Sequence, residues 1–317
     1  MRILLASTHR YPAAVGGLSG TRLLDWLAKG LADLGHQVSY FLEGGASVPL
    51  PGPVELVSRL PSRLDIVHIQ QESLFESLDI GDMPWVRTCH VDMRLKGINM
   101  PMVHENWIYV SRTLAQTYGS DRYVINGINP AEYLYSETKE DYFLFVAALE
   151  RAMSKGLQIA LDLSRESGVP LVVAGSSWNQ SLVAEISALC RQYGARYVGE
   201  VFGMEKAQLF ANARALLFPT QWNESFGMVM AEALMSGTPV ICSDRGACSE
   251  LISSDVGFVC GSQQDYIDAV NELDGISPRM CREKAMRDFH YLRMSADYVR
   301  EYEKTITLHA QQKAKVT

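Results

Sequence analysis

The chain has 317 residues, of which 47% are hydrophobic and 21% charged, and its formal net charge is −7 at pH 7. This is the composition of a globular protein, and the length favours two domains. The acidic balance and the absence of a basic tract argue against nucleic acid as a partner. No apolar run approaches the roughly 18 residues that would span a bilayer, and the start, MRILLAS, lacks a signal-peptide pattern. We therefore expect a cytoplasmic protein with no transmembrane segment, for which peripheral membrane contact stays open.

The first part of the chain alternates strand and helix patterns. Residues 2–8 read as a buried strand, and a glycine-rich turn, VGGLSG, follows at 15–20. Apolar residues then recur at helical spacing over 22–34, before a second strand at 37–42. This βαβ pattern predicts a parallel sheet. Further strands are predicted at 65–69, 85–89, 107–110 and 123–125.

The pattern restarts after a polar stretch at 129–142, the best candidate for a linker. The predicted strands are 142–148, 170–175, 196–200, 215–220 and 239–244. The helices predicted between them are 155–167, 180–193, 204–213 and 223–234, and the charged tail from 289 to 312 is also predicted to be helical.

These patterns predict the α/β class, with two Rossmann-like doubly wound domains facing each other across a cleft. The first domain is expected to cover residues 1–135 and the second 136–290. Residues 291–317 are expected to form a helical tail that packs back on the first domain.

The stretch NESFGMVMAEAL, 223–234, reads as an apolar helix that nevertheless carries Glu224 and Glu232. A helix that starts at the carboxyl edge of a sheet suits a phosphate, and Gly227 allows a close backbone approach. Glu232 lies about 12 Å further along the axis of a helix at 1.5 Å per residue, where a ribose diol would satisfy a buried carboxylate. The alternative is that Glu224 caps the helix and Glu232 is solvated or salt-bridged.

Two cations follow the strand at 142–148 in the segment ERAMSKG. Arg151 and Lys155 at the start of a helix can clamp a diphosphate, or they can form a surface pair four residues apart. The motif search also gives negative results: the chain has no DxD, GxSxG, Walker A or HExxH motif. We therefore expect no cofactor and no metal, with diphosphate charge met by cations and helix dipoles.

Two features of the first domain leave alternatives open. Gly16, Gly17 and Gly20 in VGGLSG fit a phosphate-binding turn or a plain strand–helix turn. With Glu43 after the second strand, the turn also leaves a dinucleotide-dependent dehydrogenase open. His90 follows the strand at 85–89, where an imidazole is either functional or structural.

Six cysteines are scattered singly, and none forms a CxxC pair. We expect reduced, mostly buried thiols at Cys89, Cys190, Cys242, Cys248, Cys260 and Cys281.

The run ESFGMVMAEALMSGTPVICSDRGACSELI, 224–252, resembles the nucleotide-binding signature of retaining glycosyltransferases of family 4, which have the GT-B fold. Its two acids have the E-x7-E spacing, and Gly246 and Glu250 follow in order. Other segments are similar to the family in the same order: GG at 16–17, VINGIN at 124–129, SKG at 154–156, YVGEV at 197–201 and ARALLFPT at 213–220.

The resemblance implies that the second domain binds a nucleoside-diphosphate sugar and the first an acceptor. By the resemblance, Glu232 would hold the ribose and Glu224 the donor-sugar hydroxyls, while Lys155 would meet the diphosphate. His90 would touch the donor sugar, so Glu224, His90 and Lys155 are the catalytic candidates. The other residues implied to bind the nucleotide-sugar are Gly16, Gly17, Arg151, Gly199, Phe226, Gly227, Met228 and Val229.

The chain departs from the family pattern near the lysine. The family carries an arginine five or six residues before it, whereas Arg151 is only four before Lys155. The first domain also looks short. The base would lie near Gly175, Tyr197 and Gly199, while Arg87, Arg94 and Lys96 either face an anionic acceptor or are solvated.

We therefore expect a retaining, metal-independent glycosyltransferase of the hexosyltransferase type. It would move a sugar from a UDP- or GDP-sugar to a hydroxyl acceptor, which can be a saccharide, a lipid-linked group or a small molecule. The alternatives are a nucleotide-sugar epimerase on the same fold and a non-catalytic nucleotide-sugar-binding protein.

Overall fold

The structure is a computed structural model that describes residues 1–13, 19–71, 73–96 and 105–316. The chain divides into two compact units. The first unit comprises Met1–Ile128 with Phe289–Thr317, and the second comprises Asn129–Asp288. The polar stretch that was the candidate linker thus belongs to the second unit, whose boundaries fall at 128/129 and 288/289 instead of 135/136 and 290/291.

The first unit is built on a parallel sheet of six strands in the order β3-β2-β1-β4-β5-β6. These strands are β1 (Arg2–Ser7), β2 (Gln37–Leu42), β3 (Glu55–Val57), β4 (Ile66–Ile69), β5 (Trp85–Cys89) and β6 (Trp107–Tyr109). The helices described here are α1 (Ser19–Asp33), α2 (Leu74–Leu78) and α3 (Arg112–Thr117), and the chain returns at its end with the long α11 (Tyr291–Val316).

The C-terminal helix α11 packs on α1 within this unit. The Tyr291 hydroxyl donates to Asp33 Oδ2 over 2.8 Å. A Cβ at Gly30 would lie 3.0 Å from Cβ of Ser295, so the absence of a side chain lets the two helices approach closely.

The second unit repeats the architecture with a parallel sheet in the order β12-β11-β10-β7-β8-β9. Its strands are β7 (Phe143–Val146), β8 (Leu171–Ala174), β9 (Arg196–Gly199), β10 (Ala215–Phe218), β11 (Val240–Ser243) and β12 (Gly257–Cys260). Its helices are α4 (Leu157–Ser167), α5 (Gln180–Gln192), α6 (Gly203–Asn212), α7 (Met228–Met235), α8 (Cys248–Leu251), α9 (Gln263–Glu272) and α10 (Pro278–Asp288).

The central strands of both sheets are buried on both faces. Residues 3–6 of β1 and 215–218 of β10 are each at most 3% exposed. Parallel strands covered by helices on both faces require such continuous apolar runs, which is why the sequence patterns located them. The chain therefore has two α/β units, each built on a doubly wound parallel sheet, as predicted.

Some elements differ from the predictions. Residues 123–125 form no strand and contribute only an isolated bridge between Tyr123 and Tyr109. The edge strands β3 and β12 were not predicted, and neither were α9 and α10. No helix in the described part of the chain combines the length and apolarity needed to cross a membrane.

Candidate functional site

The site residues of the second unit lie where the strand order reverses. From β7 the chain proceeds outward to β8 and β9, then returns to the other side of β7 and proceeds to β10, β11 and β12. In open parallel sheets a ligand is expected at such a reversal, at the carboxyl ends of the strands, which here means the loops after β7 and β10. The loop after β7 carries Arg151 and Lys155, and the loop after β10 carries Glu224.

Lys155 and Glu224 form an ion pair that joins these two loops. Their side chains are 14% and 11% exposed, so the pair is largely shielded from solvent. The Lys155 ammonium also lies 5.3 Å from the centre of the Phe218 ring and 5.8 Å from that of Trp222. Lys155 and Arg151 are therefore not a plain surface pair, because Lys155 turns toward Glu224.

The turn that presents Lys155 depends on Gly156. Its φ is +86°, and a Cβ there would lie 2.0 Å from the carbonyl oxygen of Pro219. The Gln221 N–H also donates to the Ser154 carbonyl over 2.9 Å. Backbone packing without an intervening side chain thus fixes the loop after β7 against the loop after β10.

Gly246 supports the backbone of Glu224 from the loop after β11. Its φ is +61°, and a Cβ there would lie 2.3 Å from both N and O of Glu224. The next residue, Ala247, donates its N–H to the Glu224 carbonyl over 2.8 Å. Glu224 is therefore held through its side chain by Lys155 and through its backbone by Ala247.

The helix after β10 begins later than predicted. Helix α7 starts at Met228, so Glu224 lies in the preceding loop and the 12 Å spacing along a helix axis does not apply. Gly227 is the N-terminal cap residue with φ +80°, and no side chain among the described residues caps this helix end. Met228 and Val229 are partly exposed, whereas Phe226 is 3% exposed and anchors the loop in the core. The first N–H groups of α7 can therefore receive an anion.

Glu232 is buried, with 4% of its surface exposed, and protein groups already contact it. The Tyr133 hydroxyl donates to its Oε1 over 2.9 Å, and the Lys206 ammonium lies 2.8 Å from the same oxygen. Glu232 is therefore salt-bridged, which was the alternative left open by the sequence, and its contact with a ribose stays a prediction. Both contacts are on Oε1, which leaves Oε2 as the oxygen for a further partner.

Arg151 is exposed and stacks its guanidinium 5.8 Å from the centre of the Trp222 ring. It ends the short 3-10 helix Leu149–Arg151, and its carbonyl accepts the N–H of Lys155 over 2.8 Å. The two cations therefore share one turn, with Lys155 shielded and Arg151 facing solvent.

The residues expected near the base come together after β8 and β9. The Tyr197 hydroxyl donates to the Gly175 carbonyl over 2.8 Å, and the Gly175 N–H donates to the Gly199 carbonyl over 2.8 Å. Gly199 has φ +79° and open space where a Cβ would be, so the backbone conformation is what requires glycine there.

His90 lies in the first unit, directly after β5. Its Nε2 is 2.7 Å from Oε1 of Gln70. Burial, reinforced by the nearby Arg87 guanidinium, lowers the pKa of His90 from 6.5 to about 4, so the ring is neutral at pH 7. Gly16 and Gly17, predicted to approach the phosphates, lie outside the described residues.

Three other candidates of the first unit have structural partners, whereas the side chain of Lys96 lies outside the described part of the chain. Arg94 forms an ion pair with Asp92 over 2.6 Å, and Arg87 stacks on the Trp107 ring at 4.9 Å. The exposed Glu43 accepts from Ser77 over 3.4 Å. The six cysteines form no disulfide in the described structure and are buried, as expected. Among the described residues no group of three or more His, Cys, Asp or Glu side chains is placed to hold a metal ion.

Comparisons with known proteins agree with this geometry. A family model described as glycosyl transferases group 1 matches residues 133–286, which lie within the second unit. The chain is 24% identical over 282 residues to a phosphatidyl-myo-inositol mannosyltransferase of Mycobacterium tuberculosis, covering 75% of this chain and 74% of that protein. The crystal structure of AviGT4, a glycosyltransferase involved in avilamycin A biosynthesis, superposes with a TM-score of 0.76 at 25% identity, covering 96% of this chain and 98% of that one. The family model covers just under half of the chain, and together these likenesses support a GT-B glycosyltransferase of the family 4 type.

A further relative shows how the likeness is distributed. An O-antigen chain mannosyltransferase of Escherichia coli is 28% identical to this glycosyltransferase over 174 residues. That match covers 52% of this chain and 46% of the relative, so the chain spans about half of that protein's length.

Sequence reasoning missed several residues that shape the site of this glycosyltransferase. Tyr133 and Lys206 contact Glu232 from 99 and 26 positions away, a distance at which no local pattern operates. Trp222 lies in the loop QWNE and was not singled out, because only the folded structure brings its ring to Arg151 and Lys155.

Proposed function

We propose that this glycosyltransferase is a retaining, metal-independent enzyme that takes a sugar from a UDP- or GDP-sugar and places it on a hydroxyl acceptor. The observation that carries the proposal is the pairing of each signature glutamate with a lysine. Lys155 meets Glu224 in the loop before α7, and Lys206 of α6 meets Glu232 within α7. A nucleoside-diphosphate sugar has groups complementary to each part.

The proposed ribose contact is at Glu232. Its Oε1 is held by Tyr133 and Lys206, so the orientation of the carboxylate is fixed before a ligand arrives. Oε2 can accept hydrogen bonds from vicinal ribose hydroxyls, and a buried carboxylate makes such bonds strong. The base would then extend toward Gly175 and Gly199, whose backbone groups line the loops after β8 and β9.

The proposed diphosphate contacts are Lys155 and the start of α7. Lys155 is paired with Glu224 in the structure, and an ammonium on a flexible stem can reorient toward a phosphate. The N–H groups of Met228 and Val229, together with the positive end of the helix dipole, supply fixed positive charge. Arg151 lies one turn away and can add a second cationic contact through its guanidinium.

Charge on the leaving group then determines the catalytic roles. When the bond from the anomeric carbon to the phosphate oxygen breaks, its electron pair stays on the diphosphate. Lys155 and the helix N-terminus stabilise that negative charge where it develops, so the proposed mechanism needs no metal. Glu224 would hold the donor-sugar hydroxyls. In the retaining course that the family implies, the leaving phosphate oxygen takes the acceptor proton on the same face of the sugar.

The acceptor is proposed only as a hydroxyl group. The relatives include a mannosyltransferase named for phosphatidyl-myo-inositol and mannosyltransferases named for O-antigen chains. These names favour lipid-linked or saccharide acceptors, and peripheral membrane contact is compatible with both.

A thermal-shift screen against UDP-, GDP- and ADP-sugars tests the proposed donor class. We expect one base series to raise the melting temperature of the parent protein, and the shift to be lost in Glu232→Gln. Proton NMR of the stabilising donor should show conversion only when an acceptor is added. Conversion of the donor alone to an epimer would contradict the transferase mechanism.

A further inference from the structure

A chain of hydrogen bonds runs from His90 into the interior of the first unit. Its first link joins His90 Nε2 to Gln70 Oε1 over 2.7 Å. The amide nitrogen of Gln70 lies 3.4 Å from Nε2 of His68, and Nδ1 of His68 lies 2.7 Å from the Tyr302 hydroxyl. His68 and Tyr302 are fully buried. These hydrogen bonds therefore connect the end of β5, through β4, to helix α11.

A second branch of the hydrogen-bond network begins at Nε2 of His68, the nitrogen that also faces Gln70. Thr88 Oγ1 lies 2.8 Å from His68 Nε2, and the Tyr298 hydroxyl lies 2.7 Å from Thr88 Oγ1. Burial lowers the pKa of His68 to about 3, and that of His90 is about 4. Both rings are thus neutral at pH 7, and each has one N–H and one lone pair.

The amide of Gln70 links the proton positions on the two rings. A carbonyl oxygen can only accept, so Oε1 facing His90 requires the His90 proton on Nε2. The amide NH₂ can only donate, so His68 Nε2 carries a lone pair and His68 Nδ1–H donates to Tyr302. Rotating the amide by half a turn would reverse every one of these directions. The order of the network thus decides which nitrogen of His90 is protonated.

We propose that Gln70 is a positioning residue that holds His90 in the Nε2–H tautomer and so leaves Nδ1 as an acceptor for a sugar hydroxyl. The sugar contact itself is the one that the family resemblance implies for His90, so this part of the inference rests on the proposed function. Within the described residues, no hydrogen bond joins Nδ1 to another protein group. The ring also lies close to the backbone of Gly20, where a Cβ would be 3.3 Å from its Cδ2.

Nitrogen NMR of the full-length protein tests this directly. Long-range ¹H–¹⁵N correlations distinguish the two neutral tautomers of a histidine, and His90→Gln assigns the signals. We expect His90 of the parent protein to be Nε2–H at pH 7. Gln70→Leu removes the acceptor and should convert His90 to a mixture of tautomers. Gln71→Leu is the matched control, because Gln71 Oε1 contacts Ser7 and Thr8 instead, and it should leave the tautomer unchanged.

A second variant keeps the test decisive if Gln70→Leu does not fold. The carboxylate of Gln70→Glu can only accept at pH 7, so Nε2–H should persist. Its added negative charge should raise the pKa of His90, because the other groups near that ring, Arg87 and His68, stay the same. An Nδ1–H tautomer in the parent, an unchanged tautomer in Gln70→Leu, or an unchanged His90 titration in Gln70→Glu would each overturn the proposal.

These measurements need no substrate, so they are separate from the test of the proposed function. If the tautomer follows Gln70 but His90→Gln transfers sugar as fast as the parent protein, the positioning stands and the sugar contact of His90 fails. If both hold, the double variant Gln70→Leu/His90→Gln should turn over no more slowly than His90→Gln alone, because Gln70 acts through His90.

Discussion

Replacing Glu232 with glutamine changes one oxygen of a buried side chain to an amide nitrogen and removes its negative charge. Tyr133 can still donate to the remaining carbonyl oxygen, whereas the ion pair with Lys206 is lost. The volume of the side chain is nearly unchanged, so the variant separates the charge of Glu232 from its packing. We expect the variant to fold and to bind nucleotides weakly.

The magnitude follows from the bond that the ribose would lose. A hydrogen bond to a charged group contributes about 1.5–3 kcal/mol. A loss of about 2 kcal/mol corresponds to a roughly 30-fold weaker Kd, since about 1.4 kcal/mol is tenfold. Loss of the ion pair with Lys206, whose side chain is 20% exposed, should cost about 1 kcal/mol of folding stability, which lowers Tm by about 2–4 °C.

Calorimetric titration with UDP, GDP and the 2′-deoxy form of whichever nucleotide binds more tightly measures the effect. The parent protein should prefer the ribonucleotide, and Glu232→Gln should lose most of that preference. Glu205→Gln is the matched control, since it removes the same charge from an exposed position beside Lys206. An unchanged Kd in Glu232→Gln, or an equal loss in Glu205→Gln, would refute the ribose contact.

Three further predictions follow from the structure. Lys155→Met should weaken UDP or GDP binding more than Arg151→Met, because the shielded lysine is the main diphosphate contact, and neither change should much affect binding of the bare nucleoside. Equal or reversed losses in calorimetric titration would show that Arg151 has taken over this contact. Gly246→Ala should destabilise the fold and weaken nucleotide binding, because the added Cβ would overlap the backbone of Glu224. Gly275→Ala, where a Cβ would meet open space, should change neither property, and equal melting temperatures of the two variants would contradict the packing argument. Burial depresses the pKa of His68 in the folded state to about 3, so its contribution to stability is fully present above pH 6.5 and is lost as the pH falls toward 3. Between pH 6 and 4, His68→Gln should therefore reduce the slope of unfolding free energy against pH by about 1.4 kcal/mol per pH unit. An unchanged slope would count against a neutral buried imidazole.

The fold was largely predictable because buried parallel strands leave continuous apolar runs. The strands on each side of the two reversal points carry such runs, and the structure confirms them. The edge strands escaped prediction for physical reasons. β3 has only three residues, none of them buried, and β12 opens on Gly257, so neither has the composition of a central strand.

The site was predictable where it depends on adjacent loops and not where it depends on distant side chains. Lys155 and Glu224 come together because the strands before them, β7 and β10, are neighbours in the sheet. The predicted start of α7 was too early. The apolar pattern of 223–234 does not reveal that Gly227 adopts a positive φ and that the helix begins only after it. The partners of Glu232 come from a loop and a different helix, so only the tertiary structure brings them to its carboxylate.

The central claim is that the second unit binds a nucleoside-diphosphate sugar through its two glutamate–lysine pairs. Calorimetric titration of the parent protein with UDP-sugars and GDP-sugars, beside Glu224→Gln and Glu232→Gln, tests it most directly. The account predicts saturable binding of one base series by the parent protein, a roughly 30-fold loss in Glu232→Gln from one charge-assisted hydrogen bond, and a loss in Glu224→Gln that is larger for the sugar nucleotide than for the free nucleoside diphosphate. Binding that is unchanged in both variants, or no binding of either series, would contradict it.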